Sequence, residues 1–447
     1  MSGINIHPDM LKRLDRASAI LNGAGLKNVR VISHYDADGI SSASVLSIML
    51  RRLGIAFHVT MARSLDSVLI DALKQEGGEL FIFSDMGSGQ LELIETLPGN
   101  TIVLDHHKPT GDSAKIIHIN PSMFGSNGTT DVSGATTSFI LAQHLDDSNW
   151  DAAVPALAGA HGDMQHLGGY RGLNLDILNG ALHRQIIIER KSLHLQGETL
   201  FDSVVNSPDP YFRGLTGRSG VFTEYAGNFG IDPEARYSSY AGDDIRNVAS
   251  TLMMVLASNG CDYENVSQIL STQYCSNRTG MSIDEMASLA NACGRTENYG
   301  LGLAMELGDE NARAEAVKFR LDYNRAVISR LIELEEGIDE MEHIQHFRSD
   351  DSSLAGALCG LYMAFIGRKD KPTLSYSFSG ESYRISARGT KELVSRGLDL
   401  AESLSVAASR FGGHGGGHVI ASGATVPKEH LMEFLKAVDD ITGSQLS

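Results

Sequence analysis

Four groups of acidic and imidazole side chains within the first 163 residues have the types that bind divalent cations. The first is His34-x-Asp36-x-Asp38-Gly39. Alternate residues of an extended segment point the same way. One imidazole and two carboxylates can therefore converge on one place, and Gly39 permits the turn into whatever follows. The second group is Asp85 in Ser84-Asp85-Met86-Gly87-Ser88-Gly89, the third is Asp105-His106-His107, and the fourth is His161-Gly162-Asp163. Each alone has a plainer explanation. An aspartate of the first group can cap a helix, Asp85 can start a turn, the adjacent histidines can sit in a surface loop, and the fourth group can close a helix.

Taken together, the groups match what a two-cation hydrolytic centre needs. Such a centre uses hard oxygen ligands, a few imidazoles, and one carboxylate to bridge ions roughly 3.5–4 Å apart. The ion pair activates a water and clamps the attacking and leaving oxygens of an in-line displacement at phosphorus. A mixed carboxylate and imidazole set suits two Mn2+ ions, with Mg2+ as the alternative. A structural zinc site would want thiolates or a closed four-ligand set. The four cysteines, Cys261, Cys275, Cys293 and Cys359, form no Cys-x-x-Cys pair and are too sparse for a disulfide framework. They read as packing residues in a reducing, cytoplasmic setting.

The elements that must position these groups can be read from periodicity. A helix is expected over 9–24 and strands over Val29–Ser33, Ala56–Thr60, Leu80–Ser84, Thr101–Leu104 and Lys115–Ile119, with helical stretches 40–53 and 65–76 between them. Strands alternating with helices imply a doubly wound parallel sheet. Three of the four polar groups follow strands directly, and the carboxyl ends of such strands line the ligand crevice.

Beyond residue 186 the pattern changes to helical stretches at 242–258, 263–270 and 282–293 with glycine-rich loops, and then one long helix over 309–345. Strands return at Thr373–Phe378 and Tyr383–Ser386, with helices 390–410 and 428–441 flanking a glycine run at 412–417. The expected architecture is α/β, in four parts. They are a doubly wound domain over 1–185, a mainly helical insertion over 186–308, a connecting helix over 309–345 and a smaller α/β domain over 346–447. A chain of 447 residues is too long for one core.

The formal net charge of −18 argues against a protein that coats nucleic acid nonspecifically. It leaves a nuclease possible, because cations supply positive charge at the centre and a local basic groove can sit on an acidic body. No apolar run approaches the roughly 20 residues of a spanning helix, and the first residues lack a basic stretch followed by an apolar one. A soluble cytoplasmic protein without a membrane partner is expected.

The motifs resemble those of the DHH phosphoesterases. Asp105-His106-His107 is similar to the motif that names the family, His34-x-Asp36-x-Asp38-Gly39 to its first motif, Asp85 to its second and Asp163 to its fourth. Gly416-Gly417-His418-Val419-Ile420-Ala421-Ser422-Gly423 resembles the GGHxxAAG signature of the associated DHHA1 domain, with Ser422 in place of an alanine, and Ser386-x-Arg388 resembles that domain's upstream element. The long segment between the two ends is similar to that of RecJ-like nucleases, archaeal ones with GINS-associated members in particular, and Asn291-Ala292-Cys293-Gly294-Arg295 looks like an element of those proteins.

The resemblance implies that His34 and Asp36 bind one metal, that Asp38, His106 and Asp163 bind the other, and that Asp85 bridges. Asp105 would orient an imidazole, and His107 would contact the scissile phosphate or the leaving group. Ser386, Arg388, Gly416, Gly417 and His418 would bind substrate. Arg368, Lys369, Lys371, Arg384, Arg396 and Arg410 lie in the same domain, and their charges read either as a local basic track or as an ordinary solvated surface. The implied activity is a single-strand-specific exonuclease on DNA or RNA, in replication or repair. One alternative is an oligoribonuclease or a phosphodiesterase of small nucleotides (pAp or cyclic dinucleotides). The other is a replication-complex scaffold that binds GINS.

Overall fold

The structure is a computed structural model, and it describes residues 4–447 except 24, 198, 237–239 and 241–242. The chain divides into two compact units. One comprises Met1–Lys191 with Thr272–Arg320, the other Ser192–Ser271 with Leu321–Ser447.

The first unit is built on five parallel strands, β1 (Val29–His34), β2 (Phe57–Ala62), β3 (Leu80–Ser84), β4 (Asn100–Leu104) and β5 (Ile117–Ile119), in the order β2-β1-β3-β4-β5. All five strands expected from the sequence are present, with ends shifted by up to two residues. Every residue of β3 is buried, as a central parallel strand covered on both faces requires. The chain leaves β1 outward to β2 and returns past β1 to β3. This reversal opens a crevice beyond the carboxyl ends of β1 and β3. Ser33 pairs with Ser84, and Ser84 with Leu104. The residues that follow these three therefore leave the sheet side by side.

The helix Ala37–Arg52 runs back from that crevice and is buried along almost its whole length. Residues 272–320 also belong to this unit, which moves part of the segment expected at 186–308 into the first domain. The helix Ile283–Arg295 shows why. It carries Ile283, Met286, Ala287, Leu289, Ala290 and Cys293 into the same apolar core as Ile40, Leu46 and Leu157. Burying a large apolar side chain contributes about 1.5–3 kcal/mol, so this face does not remain in solvent.

The chain passes between units along β6 (Ile187–Leu193) and β7 (Leu270–Ser276), which pair as a two-stranded sheet. The stretch expected to be helical to residue 270 is helix only over Tyr263–Ser267 before β7 begins. The long helix spans Glu310–Leu334, shorter than expected, and Gly337 follows it at φ 125°.

The second unit holds a six-stranded mixed sheet. Its strands are β8 (Asp339–Glu340), β9 (Gln345–Arg348), β10 (Thr373–Ser379), β11 (Ser382–Arg388), β12 (His414–Gly417) and β13 (Ala421–Pro427), ordered β12-β13-β11-β10-β9-β8. The glycine run is thus a strand, β12. A Cβ at Gly413 would lie 2.2 Å from the Thr425 carbonyl oxygen and one at Gly415 would lie 2.8 Å from that of Leu404. Close packing of β12 against β13 and the helix Leu400–Ser409 explains glycines that look like a loop in the sequence. The helix expected over 390–410 is broken into Lys391–Ser395 and Leu400–Ser409 by Gly397, whose φ is 113°.

Candidate metal centre

β1 ends at His34, and the next residues turn sharply into the helix Ala37–Arg52. Asp36 caps that helix by accepting a hydrogen bond from the Gly39 amide (3.1 Å). A Cβ at position 39 would lie 2.0 Å from the His34 carbonyl oxygen, so only glycine allows the turn. Asp38, on the first turn of the helix, is fully buried. Its carboxylate accepts from Ser133 Oγ (2.8 Å) and from the amides of Gly134 (2.6 Å) and Ala135 (3.0 Å). These donors are the free N-terminus of the helix Gly134–Leu145, where a negative charge is favoured.

Asp85 follows β3 in a left-handed conformation, φ 57°, which aspartate tolerates better than most residues. Its Oδ2 lies 3.3 Å from His34 Nδ1 and its Oδ1 lies 3.2 Å from His106 Nε2. His106 Nδ1 donates to the Gly128 carbonyl at 2.6 Å. That bond fixes the ring so that Nε2 faces Asp85, Asp163 Oδ2 (3.3 Å) and Asp38 Oδ2 (3.6 Å). Asp105 is held by hydrogen bonds on both carboxylate oxygens. Its Oδ1 accepts from His107 Nδ1 (2.7 Å) and from the His106 amide (2.8 Å), and its Oδ2 accepts from the Ser88 amide (2.9 Å). His107 is half exposed.

The structure therefore brings all eight sequence-derived residues of the first unit together. Ligand atoms of His34, Asp36 and Asp85, of Asp38, His106 and Asp163, and of Asp85, Asp105, His106 and His107 lie within 4.8 Å of one another in each set. His161, beside Asp163 in sequence, instead stacks on His166 with ring centroids 3.6 Å apart.

Charge crowding is severe. Burial opposes charging of His34, yet Asp36 and Asp85 push its pKa up to about 12. His106 is likewise raised by Asp85, Asp163 and Asp38 despite burial. Burial, with Asp85 and Asp36 as negative neighbours, raises Asp163 to about 7, and burial with Asp85 and Asp163 raises Asp38. The buried atoms His34 Nδ1 and Asp85 Oδ2 have no hydrogen-bond partner of proper geometry. A divalent cation fits this donor set. It would satisfy the two orphaned atoms and neutralise carboxylates that otherwise repel one another.

In the second unit, Ser386 and Arg388 are alternate residues of β11 on the face toward the helix Ala355–Phe365, whose Gly356 has room for both. Register places Ser386, Gly423 and Gly416 in one row. Gly416, Gly417 and His418 are exposed at the sheet edge. Arg388 forms no ion pair among the described residues; its Nη1 donates to the Ala387 carbonyl (2.9 Å). Of the six basic residues, Arg368 is tied to Asp370 and Glu340, Lys371 to Glu340, and the Lys369 amine to the Met363 carbonyl. No ion pair involves Arg384, Arg396 or Arg410 among the described residues.

The DHH family N-terminal domain matches residues 28–160 and the DHHA1 domain matches 353–444. An uncharacterized protein of Methanocaldococcus jannaschii is 30% identical over 436 residues, 96% of this chain and 95% of that one. The chain belongs to the DHH/DHHA1 family. Its acidic and imidazole side chains are grouped closely enough that they could hold a metal ion. RecJ from Thermus thermophilus in complex with Mn2+ is similar in fold, with TM-score 0.63 at 17% identity, covering 99% of this chain. This chain spans only 56% of that RecJ chain. The same RecJ has also been solved with Mg2+, with TM-score 0.57. CDC45 from Entamoeba histolytica gives TM-score 0.62 at 13% identity, with 97% and 99% of the two chains covered. Among the described residues, no helix is long and apolar enough to cross a membrane.

Sequence reasoning missed the residues that hold the ligands in place. Gly128 lies so near the His106 backbone that a Cβ there would sit 2.0 Å from its carbonyl oxygen. Ser133 and Gly134 cradle Asp38. Asn120 donates to the His107 carbonyl and to Ser88 Oγ, both at 2.8 Å. Gln165 donates to the Gly128 carbonyl (3.1 Å) and is itself held by Asn174 (2.6 Å). A usable signal was Ser133-x-x-Thr136, a capping pattern ahead of an apolar run.

Proposed function

We propose that the chain hydrolyses phosphodiester bonds of single-stranded DNA or RNA from an end, using two divalent cations. The observation that carries this reading is the position of Asp85. One buried carboxylate faces His34 through one oxygen and His106 through the other. His34 and Asp36 would hold one cation, Asp38, His106 and Asp163 the other, and Asp85 both. Mn2+ is the expected ion and Mg2+ the alternative. When bound, the pair supplies an activated water and neutralises charge on the reacting phosphate.

The chain's own residues do the rest. Asp105 is an acceptor only, so the proton on His107 lies at Nδ1 and the opposite nitrogen remains available to the substrate. Burial opposes charging of His107, but Asp105 raises its pKa. That favours the protonated ring, which can donate to a phosphate oxygen or the departing oxygen. Gly128 fixes His106 in the opposite sense, with Nε2 turned to the acids as a ligand requires. Ser386, Arg388, Gly416, Gly417 and His418 would grip the phosphodiester backbone, with the glycines allowing close approach to backbone amides.

The test is incubation with Mn2+ and end-labelled single-stranded DNA and RNA of about 40 nucleotides, beside an Asp85→Ala variant whose metal-free melt matches wild type. Digestion by wild type alone supports the reading, and the label pattern gives polarity and sugar preference. Intact strands with wild type refute it and turn attention to small nucleotides.

A further inference from the structure

The segment Asn291-Ala292-Cys293-Gly294-Arg295 ends a helix directly against the first motif. A Cβ at position 294 would lie 2.2 Å from the Tyr35 carbonyl oxygen, so the helix Ile283–Arg295 reaches Tyr35 only with glycine there. Glu297 then takes a left-handed conformation, φ 60°. It meets Arg63, the residue after β2. Because His34 pairs with Ala62, Tyr35 and Arg63 leave the sheet as neighbours beside the metal ligands.

Their contact is specific. The Arg63 guanidinium carbon lies 4.9 Å from the Tyr35 ring centroid, and that ring meets His34 edge-on with centroids 4.7 Å apart. Arg63 Nη2 donates to Glu297 Oε1 at 2.9 Å. Arg63 nevertheless keeps 47% of its side chain exposed. One face rests on Tyr35 and one edge is engaged by Glu297. Ordering an arginine costs rotamer entropy, and an exposed ion pair returns little. Stability alone is a weak reason for the arrangement. With donors engaged on an edge, what Arg63 offers a ligand is a flat cationic face, and such a face recognises a nucleobase better than a phosphate.

We propose that Tyr35 and Arg63 form a stacking platform for the base of the nucleotide next to the scissile phosphodiester. The proposal rests on the nuclease reading for its substrate class, and its test separates the two. Single-stranded oligonucleotides with one abasic residue at each successive position from either end are compared with the intact strand. Binding is measured by fluorescence anisotropy with metal-free protein, and kcat/KM with Mn2+.

Loss of one particular base should weaken wild-type binding about tenfold. In Arg63→Ala that dependence should fall to about twofold or less. Arg63→Lys, which keeps the charge and loses the plane, should behave like Arg63→Ala, whereas Tyr35→Phe should retain the dependence. Melts matching wild type establish that the variants fold. Base dependence that survives in Arg63→Ala, or full rescue by lysine, overturns the platform even where digestion proceeds. No digestion, but base-dependent binding that Arg63→Ala abolishes, sinks the nuclease reading and leaves the platform standing. Wild-type binding indifferent to every base removes the platform.

Discussion

Gly134 stands directly against Asp85: a Cβ at position 134 would lie 2.5 Å from the Asp85 Cβ and 2.8 Å from its Oδ1. The helix that begins at Gly134 offers its free amides to Asp38, while its first residue leaves room for the carboxylate of Asp85. One glycine therefore serves two candidate ligands, Asp38 on the helix after β1 and Asp85 just after β3.

Gly134→Ala should displace Asp85 or lift the helix from Asp38. The new methyl group meets backbone as well as side chain, so neither side can yield cheaply. Misplacing a reacting group by about 1 Å can cost on the order of 100-fold in rate. The expected outcome is that loss in kcat/KM together with weakened Mn2+ binding by titration. Unchanged metal affinity in a folded Gly134→Ala protein would show that the contact does not set the position of Asp85.

Asp105 is expected to act through His107. Burial opposes its charge, but hydrogen bonds from His107 hold its carboxyl down at about 2. Asp105→Asn keeps the shape but removes the negative charge that favours a proton on the His107 ring. The prediction is a drop in kcat of about 10–100-fold, the range for removing an orienting partner, with Mn2+ affinity nearly unchanged because both Asp105 oxygens are taken up by His107 and by the amides of His106 and Ser88. A loss confined to metal affinity would contradict the assigned role. The depressed pKa also has a sign for stability. Its contribution is complete above pH ~4 and disappears as pH falls through about 2. The wild-type melt should therefore lose an advantage over Asp105→Asn only in strongly acidic buffer.

The acidic and imidazole cluster was legible in the sequence because strand ends expose polar types that the apolar strands themselves exclude. His34, Asp85 and Asp105 are each the last residue of a strand or the first after one. The glycines that seat them were not legible. Gly128, Gly134 and Gly159 look like any turn or helix glycine until the facing atom is known, and for Gly159 that atom is Asp38 Oδ1, 2.3 Å from a would-be Cβ. The boundary at residue 272 was hidden for a related reason. The helix Ile283–Arg295 shows an apolar face in sequence, but periodicity says only that the face is buried, not which core receives it.

Cation binding should stabilise the fold through the same cluster. An ion that binds only the native state adds about 2.7 kcal/mol at a hundredfold excess over its dissociation constant. Wild type should show a rise in Tm with Mn2+ that chelation reverses, and Asp85→Ala should show none. An equal rise in both proteins would place the stabilising ion elsewhere.

Glu306 supplies a pH effect independent of the metal. It lies on the helix Tyr299–Glu306, is buried in the first unit, and accepts a hydrogen bond from Ser41 Oγ at 2.8 Å, while its Oε2 has no partner. Burial pushes its pKa up to about 8. A carboxyl raised in the folded state binds its proton more tightly there than in the unfolded chain. Stability linked to that proton is complete below pH ~4.5 and is lost progressively as pH rises toward about 8. A tenfold difference in proton affinity between folded and unfolded chain is worth about 1.4 kcal/mol, so the loss reaches a few kcal/mol at most. Glu306→Gln keeps an uncharged, hydrogen-bonding group of the same size. Melts of the metal-free proteins should nearly coincide at pH 5 and separate by pH 8, with the glutamine variant the more stable. A constant difference between the two across this range would mean that Glu306 is already charged in the folded protein, with its second oxygen reaching solvent.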